Sequence, residues 1–365
     1  MMMSLTHEFT TAPSAPPMSA TTYELLHARG GRRIERFGAF VLDRPCQACQ
    51  GPDRGTEIAF DGFDAVDATY APEPAAGYRW SGPNVPEEPW TVVLGNLTFE
   101  LGLTETGQVG LFPEQAEVWS WIARQVLGRS GSAGAPSVLN LFGYTGGSSL
   151  AAARAGAGVV HLDASKAAVS WARRNAGLSG LAEAPIRWIV DDAAAFVRRE
   201  LRRGNRYDGV ILDPPTYGHG ARGQPWRLEH DLPELLADCV RLADGGRGFV
   251  LLTSHTPGYG PGRLGTLLEG AWPPGADEAQ ARPVEAGDMS IEARANVGPT
   301  LAGVNVGAIG EVHIAWKAVE PHGASTCCCS QSIQRPTNSA FISCTSIPRP
   351  MSASSVIVSS PPRCS

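Results

Sequence analysis

From Ala135 onward the chain alternates short apolar runs with amphipathic stretches. The runs at 137–141, 158–162, 186–190, 207–212 and 247–253 are almost wholly apolar and too short for helices, which predicts strands buried on both faces. The stretches between them, 147–156, 165–177, 192–203 and 230–243, read as helices. Strict alternation of this kind predicts an α/β fold, a doubly wound and mostly parallel sheet covered by helices on both sides. The last strands are expected within Pro283–Trp316 and include Val312–Trp316.

The pattern ahead of Ala135 is different. From Tyr23 to about Glu73 short apolar stretches such as Ala39–Leu42 alternate with glycine and proline, which predicts a small β-rich N-terminal domain. Tyr70–Pro89 is rich in proline and glycine and reads as a long loop. Trp90–Leu94, Leu97–Leu101 and Gln108–Phe112, with turns at Gly95-Asn96 and Thr106-Gly107, predict a three-strand meander. Pro113 then opens a helix with Glu114 beside its positive end, and Val118, Trp119, Ile122 and Val126 recur at helical spacing. Residues 1–20 and the serine-rich tail lack periodicity. After Glu320 no acidic residue and no lysine follows, and such segments bury too little apolar surface to offset their ordering entropy. The expected organisation is therefore 1–20 disordered, 21–125 a β-rich substrate-binding module with a linking helix, 126–316 the α/β domain, and 317–365 a disordered tail.

Composition narrows the function classes. The 365 residues are 43% hydrophobic and 18% charged, an ordinary globular balance, and no apolar run approaches a membrane span. A cytoplasmic enzyme without membrane partners is expected, with its oligomeric state left open. The net charge of -6 does not suggest a generally basic, nucleic-acid-binding surface. Arginines cluster locally at Arg29, Arg32, Arg33 and Arg36, where an RNA contact is conceivable, and at Arg198, Arg199, Arg202, Arg203 and Arg206, where a solvated helix face is the simpler reading. Cys46-Gln-Ala-Cys49 has no second cysteine pair at zinc spacing, and no metal is expected.

Candidate chemistry sits at the predicted strand ends. The run Ser137–Leu141 enters a glycine-rich turn at Gly143, Gly146 and Gly147, and Asp163 closes the next strand about twenty residues on. This strand, turn and helix with a following acid suits a nucleotide whose ribose hydroxyls the acid accepts. Dinucleotide oxidoreductases and methyltransferases share it. Two further strand ends favour a methyltransferase: Asp191-Asp192-Ala193, where a carboxylate can receive an adenine amine, and Asp213-Pro214-Pro215, where two prolines fix the backbone and direct its carbonyls. Tyr217, two residues past the prolines, is placed to stack on a base. His219 and His255 fall in loops at the same edge.

Taken together, Asn140–Gly147, Trp171–Asn175, Asp191–Ala193 and Asp213–Gly218 resemble the bacterial class I S-adenosylmethionine-dependent methyltransferases related to the large-subunit ribosomal RNA enzymes. The resemblance spans roughly Tyr23 to Trp316, and Phe142 and Tyr144 stand where many class I members have glycine. It implies a Rossmann-like domain with S-adenosyl-L-methionine as cofactor. It further implies that Asn140, Phe142, Tyr144, Thr145 and Gly146 wall the methionine part, Asp163 holds the ribose, Asp192 the adenine amine, and Asp213 with Pro214 the acceptor pocket. The glycine, aromatic and glutamine of Gly110, Phe112 and Gln115 resemble an entry segment of those enzymes. The acceptor it implies is a base in ribosomal RNA. Methyl transfer to carbon 5 of a pyrimidine needs a cysteine thiolate, and the matching places hold Thr216 and Thr253–Thr256, which points to a nitrogen acceptor. A protein or small-molecule methyltransferase, a dinucleotide-binding oxidoreductase and a non-catalytic RNA-binding module are the rival readings.

Overall fold

The computed structural model describes residues 23–46, 65–73, 77–131, 134–220, 223–243, 248–272, 284–291 and 309–317. The chain divides into a compact unit, Met1–Glu320, and the segment Pro321–Ser365. Of the residues expected to be disordered, 1–20 and 317–365, all but Lys317 lie outside those described, as do Cys49 and the glycine-rich stretch 298–308; Lys317 instead ends the last strand.

Five strands form the N-terminal sheet in chain order: β1 Tyr23–Arg29, β2 Arg32–Phe37, β3 Phe40–Pro45, β4 Ala68–Glu73 and β5 Gly77–Ser81. The alternation of β2 and β3 sends Phe37 and Leu42 into the main core, while Ile34 and Val41 are buried with Leu26 in a small cluster on the other face. The predicted long loop at 70–89 is interrupted by β5, which pairs with β4 through the register Tyr70↔Trp80. Tyr70 packs on Tyr78 and Trp80 at centroid distances of 5.5 and 5.2 Å, a cross-strand aromatic cluster that outweighs the local proline and glycine content.

The hairpin of β6 Trp90–Leu94 and β7 Leu97–Leu101 follows, but Gln108–Phe112 is not its third strand. Gly110 has φ +89°, and a Cβ there would lie 2.2 Å from the Trp171 ring. The chain bends at Gly110 so that this indole can pack against it, and the straight pairing a meander needs is lost. A 3-10 turn, Pro113–Gln115, leads into α1 Ala116–Arg129, whose buried residues are the predicted Val118, Trp119, Ile122 and Val126.

The second sheet is built from β8 Ser137–Leu141, α2 Gly147–Arg154, β9 Gly158–Asp163, α3 Lys166–Leu178, β10 Ile186–Val190, α4 Ala193–Arg202, β11 Gly209–Leu212, α5 Leu228–Leu242, β14 Phe249–Ser254, α6 Pro261–Ala271, β15 Glu285–Ile291 and β16 Ile309–Lys317. A small hairpin of β12 Tyr217–His219 and β13 Pro225–Arg227 stands between β11 and α5. The strand order is β10-β9-β8-β11-β14-β16-β15; the first five run parallel, and β16 is antiparallel to both of its neighbours. This is the predicted doubly wound, mostly parallel sheet. The order reverses next to β8, between β8 and β11, and that crevice is where such sheets place ligands.

One hydrophobic core joins the two sheets. Phe37 and Leu42 of the N-terminal sheet, Phe99 of β7, Val118 and Ile122 of α1, and Val138, Phe249 and Leu251 of the parallel sheet belong to a single buried cluster. A second cluster, under α4, α5 and α6, takes the opposite face and includes Cys239, which is fully buried as its helical position predicts. Among the described residues no helix is long and apolar enough to cross a membrane.

Candidate active site

The ends of β8, β9, β10, β11 and β14 converge on a cavity of about 760 Å3, closed on one side by the N-terminal sheet. Its wall begins with the turn after β8. Phe142 and Tyr144 both adopt left-handed backbone, with φ of +57° and +46°. Side chains at such angles cost roughly 1–2 kcal/mol each, so the turn holds them against a local preference for glycine. Between them Gly143 is required for another reason, because a Cβ there would sit 2.5 Å from the His161 ring.

The turn is fixed from several sides. The Tyr144 amide donates to Asp163 Oδ2 at 2.9 Å, and the Ser165 amide donates to Asp163 Oδ1 at 2.8 Å. Burial raises the Asp163 carboxyl above its usual range, against the opposing effect of these backbone donors. Burial also pushes the Tyr144 phenol up to about 12, helped by the Asp163 charge, so the hydroxyl stays protonated. Behind the turn Asn140 Nδ2 donates to Ser149 Oγ at 2.8 Å, and Ser149 Oγ lies 2.9 Å from His161 Nδ1. The Ser149 hydroxyl accepts from Asn140 and shares its second bond with Nδ1, the donor set by the His161 tautomer. Burial depresses His161 to about 3, with the Tyr144 carbonyl a smaller opposing influence, and the imidazole is neutral.

Phe142, Tyr144, Asp163, Asp192, Asp213 and Pro214 all line the large cavity. Three other expected cofactor contacts do not. Asn140 is 2% exposed and engaged with Ser149; Thr145 Oγ1 donates to the Gly110 carbonyl at 2.7 Å; Gly146, with φ +99°, caps α2 against Ala172. They support the turn from below. Asn140 and Thr145 face instead a minor cavity of about 50 Å3 that also touches Phe142, Tyr144 and Asp213. Asp192 caps α4 by accepting from the Ala195 amide at 2.8 Å, and its other oxygen faces Gly220, where a Cβ would come within 2.5 Å. The absence of a side chain at Gly220 keeps that carboxylate open.

Tyr217 lies outside the cavity. It is 72% exposed on the outer side of the β12–β13 hairpin with its pairing partner Arg227, because strand alternation turns the next pair, Gly218 and Trp226, inward. The aromatic wall is Trp226, whose indole Nε1 donates to the Pro215 carbonyl at 2.7 Å and whose ring meets Phe142 at 5.2 Å. Asp213 Oδ2 accepts from Gln115 Nε2 at 3.2 Å and stands 3.9 Å from His255 Nε2. His219 and His255 both line the cavity, as their loop positions suggested.

The N-terminal sheet contributes residues that the sequence did not single out as a site. Glu35, fully buried, accepts from Tyr23 Oη at 3.0 Å and from Arg44 Nε at 2.5 Å, and pairs with Arg33 Nε at 3.1 Å. Burial alone would raise this carboxyl, but Arg33 and Arg44 outweigh it and hold it below its ordinary value. Arg33 and Arg44 reach the cavity wall, and Arg33 Nη1 lies 3.9 Å from the buried Glu114. Two more arginines of the N-terminal cluster are also paired, Arg32 with Asp43 and Arg36 with Glu24. In the second cluster Arg198, Arg199 and Arg203 pair with Glu234, Asp191 and Glu200. Cys46, also at the wall, is disulfide-bonded, its partner lying outside the described residues.

The cavity wall carries five carboxylates, Glu114, Asp163, Asp191, Asp192 and Asp213, against the two guanidiniums of Arg33 and Arg44. Such a wall favours a cation and a ligand rich in hydrogen-bond donors. A nucleoside sulfonium would meet both conditions: Asp163 at the end of β9 would accept from its ribose, Asp192, left open by Gly220, would accept from its amine, and the acidic wall would suit its charge.

Comparison with known proteins agrees with this geometry. A family model described as S-adenosylmethionine-dependent methyltransferase matches residues 60–261. A ribosomal RNA large subunit methyltransferase K/L from Shewanella frigidimarina is 32% identical over 146 residues, 40% of this chain and 19% of that protein; the chain thus spans about a fifth of its length. Among solved structures, the SAM-dependent methyltransferase from Agrobacterium tumefaciens superposes with a TM-score of 0.70 at 31% identity, covering 83% of this chain and 91% of that one. A methyltransferase complexed with SAH shares the fold, with a TM-score of 0.58 at 16% identity over 82% and 76% of the two chains. By its cavity, its fold and these relatives, the chain belongs to the S-adenosylmethionine-dependent methyltransferases.

Proposed function

We propose that this enzyme methylates a nitrogen of a base in RNA, with ribosomal RNA in the cytoplasm as its substrate. In this reading residues 21–125 help to bind the substrate and residues 126–316 hold the cofactor. The observation that carries the nitrogen assignment is the cysteine inventory. Carbon 5 of a pyrimidine becomes a nucleophile only after a thiolate adds to the ring. Cys46 is the one cysteine among the described residues of the cavity wall and is disulfide-bonded; Cys239 is fully buried in the core, where burial raises its thiol well above the ordinary range. A ring or exocyclic nitrogen already carries the lone pair that the reaction needs. The curated relative's name supports RNA as the substrate, and so does the outer face of the hairpin, where exposed Tyr217 lies opposite exposed Arg227 and offers a stacking platform with a cation.

The bound cofactor supplies an electrophilic methyl group on a positively charged sulfur. Asp163 and Asp192 would hold its ribose and adenine, and Phe142 and Tyr144 would line its methionine part. Trp226 and the Pro214-Pro215 turn form the wall against which a flat base is held, and the Trp226 bond to the Pro215 carbonyl fixes that wall. Transfer would form the nitrogen–carbon bond as the sulfur–carbon bond breaks, with the nitrogen's proton released to solvent. Positioning in line is the main contribution of the protein. The test is transfer of label from tritiated S-adenosylmethionine to unmodified ribosomal RNA, followed by nucleoside analysis. An N-methylated nucleoside is expected; 5-methylcytidine, 5-methyluridine or a covalent adduct with a 5-fluoropyrimidine RNA would overturn the assignment.

A further inference from the structure

We infer that Glu114 is the acceptor-binding carboxylate of this enzyme, receiving an N–H hydrogen from the base that is methylated. Glu114 lies in the 3-10 turn before α1, is 5% exposed, and lines the large cavity. Its Oε2 is buried and accepts no hydrogen bond among the described residues. Two groups face the carboxylate, Arg33 Nη1 at 3.9 Å from Oε2 and His255 Nδ1 at 3.9 Å from Oε1, both beyond hydrogen-bond length. A buried carboxylate oxygen without a donor is destabilising, and a ligand donor entering from the cavity removes that cost.

Two ligands could bring such a donor, the ammonium of the cofactor's methionine part or an N–H of the acceptor. The order of the strands decides between them. The residues assigned to the cofactor, Asp192, Asp163 and Tyr144, follow β10, β9 and β8, on one side of β11. The groups around Glu114 are His255, which follows β14 on the other side of β11, and Arg33 of the N-terminal sheet. Gln115, the next residue, bonds to Asp213 at the end of β11 and so ties the Glu114 turn to the wall where transfer takes place. Glu114 therefore belongs to the acceptor side.

The ligand class follows from the chemistry. An ionised carboxylate only accepts, so it holds a base edge that presents an amide N–H or an exocyclic amine, and it repels an edge made only of acceptors. The phenyl ring of Phe112, 5.1 Å from the His255 ring, adds a flat apolar surface beside that edge.

The inference rests on the RNA reading, and the experiment separates the two. Steady-state methylation of an unmodified ribosomal transcript is compared for wild type and Glu114→Gln, with S-adenosylmethionine affinity measured by calorimetry. The isosteric amide is expected to raise the KM for RNA at least tenfold while leaving cofactor affinity within twofold. Glu114→Asp, which keeps the charge and withdraws it, should give an intermediate KM, and it carries the same comparison where the amide variant does not fold. An unchanged KM for RNA in both variants overturns the inference and leaves the RNA reading standing. A loss of cofactor affinity in place of acceptor affinity also overturns it, by assigning Glu114 to the cofactor's ammonium. Wild-type enzyme that labels no RNA overturns the RNA reading, and this inference with it.

Discussion

The two sides of the cavity are built by opposite means. On the cofactor side, each carboxylate is held by backbone close to it in the chain or in the sheet: Asp163 by the amides of Tyr144 and Ser165, Asp192 by the amide of Ala195. On the acceptor side, the polar groups come from four distant segments, Arg33 and Arg44, Glu114, Asp213, and His255, and they face one another. The first arrangement depends on local turns and survives the loss of distant parts. The second is a network, and it fails when one member is removed.

The largest expected effect is on that network. Glu35→Ala leaves Arg44, only 2% exposed, and the largely buried Arg33 without their counter-charge, which should destabilise the protein by about 3–5 kcal/mol. Urea denaturation checks this; a loss below about 1 kcal/mol would show that the acceptor side is not held by its charges. Under the proposed cofactor placement, Asp163→Ala would remove charged hydrogen bonds to the cofactor ribose, each worth about 1.5–3 kcal/mol, and should weaken S-adenosylmethionine binding tenfold or more while the protein stays folded. Unchanged affinity by calorimetry would remove Asp163 from the cofactor site.

A third comparison concerns the support beneath the turn. His161 is depressed to about 3 in the fold, against an ordinary value near 6.5 in the unfolded chain. Its stabilising contribution is therefore complete above about pH 6.5 and is lost as the pH falls toward 3, because the unfolded chain takes up the proton first. At pH 5 the loss is about 2 kcal/mol relative to neutral pH. The same denaturation series on His161→Gln should lack that decline. The smallest effect is expected at the rim. Tyr217→Ala should leave stability within about 0.5 kcal/mol, since the ring is exposed, and raise the KM for RNA a few-fold through about 1 kcal/mol of lost stacking. No change in KM would restrict RNA contact to the cavity itself.

The same contrast explains what could be read from the chain. The parallel sheet was legible because β8, β9 and β11 are short apolar runs separated by helical stretches, and each motif falls at a strand end. The turn of Phe142–Gly147 and the acids Asp163 and Asp192 are local, so spacing was enough to find them. Arg44 and Glu114 were not found as site residues, and Arg33 was marked only as one of a basic cluster where an RNA contact was conceivable; an arginine on an exposed strand and one buried beside a cavity look alike until the sheets are packed. Tyr217 and Trp226 show the limit at finer scale. The sequence placed an aromatic past the double proline, but the β12–β13 hairpin exchanges inside and outside, and it is Trp226 that faces the ligand space. Gln108–Phe112 has the composition of a strand, and the packing of Trp171 on Gly110, sixty residues apart in the chain, is what bends it.

The shared core also has a consequence for how the protein is made. During synthesis β1–β5 emerge first, yet the cluster that buries Phe37 and Leu42 also contains Phe249 and Leu251, more than two hundred residues later. Domains usually mature as units in the order of translation. Here the earliest sheet completes its packing only after β14 has left the ribosome, so the nascent chain carries apolar surface for most of its synthesis. The acceptor side, which takes Arg33 and Arg44 from that sheet, is then the last part of the enzyme to become competent.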